Sequence, residues 1–161
     1  MLSSVTVTRE MLIADNACEP SIHSFDLGFP KGSATLQQIA NSPLCHRYWL
    51  GWLAVNASFV TEDIAMALIK RSDKPSEYYG EAAVWAHWVT AETGRRLIML
   101  SDDPHLTFGR ASVFAHWVTA ETGPELIAKS SDRVGFARLA IRYAEWMTPE
   151  IKAELIAKYG D

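Results

Sequence analysis

The second half of the chain repeats one arrangement of apolar and polar positions. Residues 86–94 read Ala-His-Trp-Val-Thr-Ala-Glu-Thr-Gly, and residues 115–123 have the same nine letters 29 positions later. The similarity extends upstream, where Val84-Trp85 corresponds to Val113-Phe114. Self-similarity at a fixed period of this length is typical of proteins built by repeating one supersecondary unit.

Two further copies extend the repeat. A diverged copy follows at the same period, in which Leu155-Ile156 lies nine and ten residues beyond Trp146, as Leu-Ile does in both close copies. We assign an earlier copy to Trp49 and Trp52 followed by Leu68-Ile69, with seven extra residues between them. The chain is therefore interpreted as a single domain with an N-terminal module over about residues 1–44 and helical repeats over about residues 45–161.

The spacing within each copy is helical. Val113, Phe114, Trp117 and Val118 follow an i, i+1, i+4, i+5 pattern, which places them on one broad face of a helix. Thr122-Gly123-Pro124-Glu125 then combines Gly, which suits a helix end, with Pro, which suits a helix start. Each copy is expected to be a longer helix carrying an aromatic-x-x-Trp pair, a tight turn, and a shorter helix carrying Leu-Ile. The predicted fold class is all-α, with helical-hairpin repeats stacked into a short solenoid-like bundle.

Outside the strongest copies, helices are predicted from their N-caps. Three Thr residues have the chemistry and the spacing of helix starts: Thr8, Thr35 and Thr61. The first helix is expected to end at Asp15, and the third at Lys70. Residues 16–34, with two Pro and two Gly, are expected to be irregular, and residues 5–7 to be briefly extended.

Composition narrows the classes of function. Hydrophobic residues make up 48% of the chain and charged residues 21%, which argues against disorder. The net charge of −4 does not favour nucleic acid as a partner. No apolar run is long enough to cross a membrane, so a cytoplasmic location is expected. The six Trp occur at helical spacing beside Val and Ile, which favours a core over a base-stacking platform.

The N-terminal segment resembles a known class of protein. The motif residues are Thr8-Arg9-Glu10-Met11-Leu12-Ile13, Ala17-Cys18-Glu19-Pro20, Phe25 and Phe29-Pro30. They are similar to a short module of small bacteriophage and prophage proteins, and the resemblance covers roughly residues 6–52. It implies a phage-encoded origin, and hence a host-cell cytoplasm as the location. It implies no catalytic residue.

Two sets of residues suggest chemistry. His87 and His116 occupy equivalent repeat positions off the predicted apolar face, but neither has the further ligands that a metal site requires, so a surface role is expected. Cys18 could form a nucleophile–base pair with His23 or His46 through the fold, which leaves a small enzyme as an alternative. Otherwise Cys18 and Cys45 are interpreted as reduced thiols.

We therefore predict a non-catalytic protein-binding protein of phage type, without cofactor or metal. Its partner would be a bacterial host protein or complex, and one function of this kind is inhibition of a bacterial defence complex, as anti-CRISPR proteins perform it. The predicted binding residues are polar side chains of the repeats: His87, Thr90, His116, Thr119, Arg95, Arg96 and Arg110. The oligomeric state does not follow from the sequence.

Overall fold

The structure, a computed structural model, describes residues 1–160. Within these residues it has eleven α-helices and a single two-stranded sheet, which confirms the predicted all-α class. The first elements are a 3₁₀ turn at Leu2–Ser4, strand β1 at Thr6–Thr8, helix α1 at Arg9–Ala14, helix α2 at Glu19–Gly28, strand β2 at Ser33–Thr35 and helix α3 at Leu36–Asn41.

Local capping sets the helix starts of this N-terminal module. The Thr8 hydroxyl accepts a hydrogen bond from the Met11 N–H, and Thr35 forms a reciprocal capping box with Gln38, as predicted. The predicted extended piece is confirmed as β1, which pairs antiparallel with β2 so that Val7 lies opposite Ala34. Both of these side chains are buried.

The expectation that residues 16–34 are irregular is wrong. They contain the ten-residue helix α2 and the beginning of β2. Pro20 lies in the first turn of α2, where the missing N–H has no intrahelical partner to lose, and Gly28 is the last residue of the helix. The two residues thus mark the ends of a helix. The Phe25 side chain on this helix is fully buried.

Eight helices follow in four pairs. The first and second helices of each pair are α4 Arg47–Asn56 and α5 Glu62–Arg71, α6 Pro75–Trp85 and α7 Ala91–Leu100, α8 Pro104–Phe114 and α9 Thr122–Lys129, and α10 Arg133–Tyr143 and α11 Pro149–Tyr159. The predicted longer and shorter helix are found only in the second and third pairs, because the two helices are equally long in the first and the fourth. The copies are residues 46–74, 75–103, 104–132 and 133–161, the final residue lying outside the described part. The 29-residue period therefore runs through four copies without a gap.

The first copy corrects the proposed register. Thr61 is the N-cap of α5, and Thr90 and Thr148, which lie one and three periods further on, are the N-caps of α7 and α11. In this alignment Phe59 takes the position of Trp88, and no extra residues are present. Trp49 and Trp52 were assigned to that position wrongly, because both lie inside helix α4.

The repeated Trp residues also lie elsewhere than predicted. Helices α6, α8 and α10 end at Trp85, Phe114 and Tyr143, so Trp88, Trp117 and Trp146 fall in the turn that follows rather than on the same helix. Trp117 is buried, whereas Trp88 and Trp146 are only half-buried.

A hydrogen bond explains the position of the indole. Trp117 Nε1 donates to the carbonyl oxygen of Ala83 at 2.7 Å, and Trp146 Nε1 donates to that of Ser112 at the same distance. Both carbonyls belong to the last turn of the preceding copy's longer helix, where backbone acceptors lack intrahelical partners. Trp117 and Trp146 therefore each cap the helix of the copy before them.

The repeated Gly serves the same contact. Gly94 lies within α7 and Gly123 within α9, so the predicted helix stop at Gly123-Pro124 is wrong. A side chain at Gly94 would overlap the ring of Trp117, and one at Gly123 would overlap the ring of Trp146. Gly is present here because the next copy's indole packs directly on the helix backbone.

The described residues form two compact units, with the boundary between Tyr78 and Tyr79, inside α6. In the first unit the fully buried side chains include Leu12, Phe25, Leu36, Ile39, Leu53, Leu68 and Ile69. In the second they include Leu97, Ile98, Leu126 and Ile127, the predicted Leu-Ile pairs. The repeated Leu-Ile signal thus identifies the core of both units.

The fourth copy lacks the two Gly residues on which rings of the following copy pack in the third copy. Gly109 in the third copy accommodates the ring of Phe136, but its equivalent in the fourth copy is Arg138. The equivalent of Gly123 is Lys152. In the fourth copy, long charged side chains therefore occupy both positions where the third copy has Gly.

Candidate functional site

Three exposed aromatic residues recur once per copy in the second unit. Trp85, Phe114 and Tyr143 are the last residues of α6, α8 and α10, and their side chains are 49%, 44% and 62% exposed. The rings of Trp85 and Phe114 stack on each other, with centroids 5.3 Å apart and an angle of 27° between the planes. We call these three residues the aromatic ladder.

A groove lies between the second and third rings of the aromatic ladder. It has a volume of about 200 Å³, and its lining includes Phe114 and Tyr143 together with His116 and Glu145. The polar residues follow the rings by two positions in the sequence, so the same period that repeats the rings also repeats a polar neighbour. The groove is therefore lined by both aromatic rings and polar side chains.

The predicted histidines are exposed, as expected. His87 and His116 lie in the turns that follow α6 and α8, two residues beyond Trp85 and Phe114 respectively. His116 lines the groove between the ladder rings. The predicted histidines thus lie beside the aromatic ladder, whereas the ladder itself, predicted to be core, is exposed.

The predicted threonines have structural contacts. The Thr90 hydroxyl accepts a hydrogen bond from the Thr93 N–H at 3.2 Å, and that of Thr119 accepts one from the Thr122 N–H at 3.4 Å. Both hydroxyls therefore stabilise the start of a shorter helix.

The predicted arginines are mostly paired with carboxylates. Arg95 forms a salt bridge of 2.9 Å with Glu125, and Arg110 forms one of 2.8 Å with Glu81, each joining two neighbouring copies. Hydrogen bonding from Lys129, with the charge of Arg95, holds the pKa of Glu125 below its usual value. Arg96 is exposed on α7. The positive charge of this region is largely compensated.

The alternative of an enzyme site requires a histidine base beside a cysteine thiol, and the structure shows other contacts for these residues. The exposed Cys18 thiol lies 3.1 Å from the Ser21 hydroxyl, and hydrogen bonds from Ser21 lower the pKa of Cys18. Burial raises the pKa of Cys45. Among residues 1–160 neither thiol forms a hydrogen bond with His23 or His46, and the His46 ring stacks on Tyr48 instead.

Within the described residues no group of three or more His, Cys, Asp or Glu side chains could hold a metal ion. None of the helices in this part of the chain combines the length and the apolar character needed to span a bilayer.

The exposure of the aromatic ladder was missed, although the repeats contain a signal for it. One position that is buried in every copy keeps the same residue, Ala57, Ala86, Ala115 and Ala144. The position just before that Ala holds the ladder, and it varies from Asn56 in the first copy to Trp, Phe and Tyr in the others. The varied position is thus exposed in all four copies, whereas the constant Ala that follows it is buried in all four.

No known protein family matches the chain, and neither a curated protein nor a solved structure matches it. A function is therefore argued from the surface itself.

Proposed function

We propose that the chain is a non-catalytic protein-binding protein whose contact face is the aromatic ladder of Trp85, Phe114 and Tyr143. The supporting observation is the repeated exposure of a large ring at one position in three successive copies. Burying such rings in an intramolecular core would stabilise the fold, so their position at the surface carries a cost in stability that a partner can offset.

The chemistry of this face suits a protein partner. Aromatic rings are enriched at the centres of protein interfaces, where they contribute large contact area and lose little conformational entropy on binding. His87, His116 and Glu145 are exposed and provide a polar rim, and each ring belongs to the last residue of a helix, so its backbone is ordered before binding. The rigid attachment reduces the entropy cost of association.

A nucleic-acid partner is disfavoured by the same contacts. Platforms that stack bases interleave aromatic rings with free Lys and Arg, which neutralise the phosphates. Here Arg95 and Arg110 pair with carboxylates, and the net charge of the chain is −4. The ladder rings of Trp85 and Phe114 also stack on each other, so no base fits between them.

The partner that we propose is a bacterial host protein or protein complex, and inhibition of a defence complex is the specific form of this function. This form relies on the resemblance of the N-terminal module to phage proteins. The test is phage plating on bacteria with an active CRISPR system, with and without the chain. We expect wild-type protein to restore plaques, and a variant with Ser at all three ladder positions to fail.

The control variant should lose the same amount of exposed apolar surface elsewhere. Met99, Leu100 and Leu106 are exposed apolar residues of the same unit, and their replacement by Ser leaves the aromatic ladder intact. This control should behave as wild type both in plating and in binding to the purified complex. Equal binding by the ladder variant and wild type would refute the assignment of the contact face. A wild-type chain that binds no defence complex and restores no plaques would refute the inhibitor function.

The histidines are tested separately. Replacement of His87 and His116 together by Ala should change the free energy of unfolding by no more than about 1 kcal/mol, because both side chains are exposed. Partner affinity is expected to fall less than in the ladder variant, since rim residues contribute less than central rings. A purified protein that contained a stoichiometric metal, lost in this double variant, would contradict a rim role.

A further inference from the structure

A second polar site lies in the first unit, away from the residues of the aromatic ladder in sequence. A concavity of about 260 Å³ is lined by Ala40, Arg47, Lys70, Arg71 and Ser72. Three of these five residues are cationic, and none of them is acidic. We call this concavity the basic pocket.

The charges of the basic pocket are uncompensated. None of Arg47, Lys70 and Arg71 forms a salt bridge with any residue that the structure describes. Elsewhere the arginines at positions 9, 95 and 110 are each paired with a carboxylate. Like charges held close together repel, so the arrangement costs stability unless an anion is bound.

Helix chemistry accounts for only part of the cluster. Lys70 and Arg71 are the last two residues of α5, where positive charge interacts favourably with the helix dipole. Arg47, in contrast, is the first residue of α4, where the dipole already contributes positive potential. His46 caps that helix without a side-chain hydrogen bond. The N-terminus of α4 therefore adds to the attraction for an anion.

The N-terminal module orients one of the cations. Asn41 Oδ1 accepts a hydrogen bond of 2.7 Å from the Arg71 guanidinium and a second, of 3.3 Å, from Gln37 Nε2. A neutral amide fixes the direction of the guanidinium without cancelling its charge. The remaining N–H groups of the fork are then available for an oxyanion, which Arg binds with two parallel hydrogen bonds.

The repeat itself does not require these cations. The equivalents of Arg47, Lys70 and Arg71 are Ser76, Met99 and Leu100 in the second copy, His105, Ala128 and Lys129 in the third, and Val134, Ala157 and Lys158 in the fourth. No other copy has three cations at these positions. The basic pocket is therefore a feature of the copy that contacts the N-terminal module.

We propose that the basic pocket binds the phosphate group of a small phosphorylated ligand. A phosphate dianion is attracted by the three positive charges of two guanidinium groups and an ammonium group, and it accepts several hydrogen bonds at once. The volume of the pocket lies just below the usual range for small-molecule sites, which suits a phosphate with a small part of the molecule that bears it. The site does not depend on the proposed function of the aromatic ladder.

The test is calorimetric titration of the full chain with inorganic phosphate and with ribose 5-phosphate, each at constant ionic strength. We expect saturable binding of one ligand per chain. Replacement of both Arg47 and Lys70 by Ala should weaken it at least tenfold, and Arg71→Gln should weaken it independently. Arg47 and Lys70 are exposed, so the double variant should fold; a circular dichroism spectrum checks this. The control Lys31→Ala with Lys158→Ala removes the same charge elsewhere and should bind as wild type.

Three results would overturn the proposal. The first is a heat of titration that does not saturate, and the second is equal affinity in the double variant and the control. The third is binding of an oligothymidylate that is lost in the double variant while neither small phosphate competes, because it would assign the basic pocket to a nucleic-acid backbone. The ladder variant should retain full phosphate binding, so failure of one proposal is distinguishable from failure of the other.

Discussion

Replacement of Trp117 by Ala tests the packing between copies most directly. The side chain is buried, and its indole N–H is hydrogen-bonded to the Ala83 carbonyl at 2.7 Å. Truncation of a buried aromatic residue costs about 3–5 kcal/mol through lost contacts and the cavity left behind. The carbonyl of Ala83 would also lose this partner near a helix end, and an unsatisfied buried acceptor costs about 1–3 kcal/mol. Since the two contributions overlap, we expect a loss in the upper half of the first range, about 4–5 kcal/mol.

The assay is urea denaturation followed by far-ultraviolet circular dichroism, because removal of a Trp alters fluorescence directly. For a chain of this size, the expected loss in the free energy of unfolding also corresponds to a melting temperature lowered by about 8–20 °C. Trp117→Phe keeps most of the ring but loses the hydrogen bond, so it should cost about 1–3 kcal/mol. The first copy, with Phe59 at the equivalent position, indicates that a phenyl ring fits there.

Trp85 provides a matched control. It is the same residue type, but it is 49% exposed and its ring contact is the stack on Phe114. Replacement by Ala should therefore cost about 1 kcal/mol, the magnitude of an aromatic pair. If Trp117→Ala were no more destabilising than Trp85→Ala, the indole would not join the copies and the account of the repeat would be refuted.

Three further predictions rest on single residues. Gly123→Ala should destabilise the protein by about 1–3 kcal/mol in the same assay, since the added methyl overlaps the next indole; an unchanged midpoint would contradict close packing. Cys18 should react with iodoacetamide several times faster than Cys45 near pH 8, because the Cys18 thiol is exposed and its pKa is lowered. Mass spectrometry measures both rates, and equal rates would contradict this prediction. The Glu125 carboxylate should titrate by NMR with a pKa below its usual value, and this pKa should rise in Lys129→Ala. The interaction that lowers the pKa stabilises the fold at neutral pH, and this stabilisation is lost as the pH falls through the lowered pKa. An unshifted titration would count against the ion pair.

The sequence alone determined the period, the helical class and several helix starts. Capping by Thr8 and Thr35 depends on groups within three residues of each other, so it can be identified without tertiary information. The Leu-Ile pairs could be located because identical apolar residues recur at the same two positions of every copy, and all of them except Ile156 are buried. These features are local or periodic, and both kinds leave a direct trace in the sequence.

The tertiary structure decided which apolar residues are buried and which groups meet. Helical periodicity placed Phe114 and Trp117 on one face, but the helix ends between them because the indole caps the neighbouring copy, and this leaves the phenyl ring at the surface. Gly123 has the same sequence signature as a helix end, and only the ring packed on it reveals the other role. The basic pocket joins Arg47 to Lys70, which lie on different helices. Contacts between separate elements depend on how those elements pack, and no pattern along a single segment encodes that geometry.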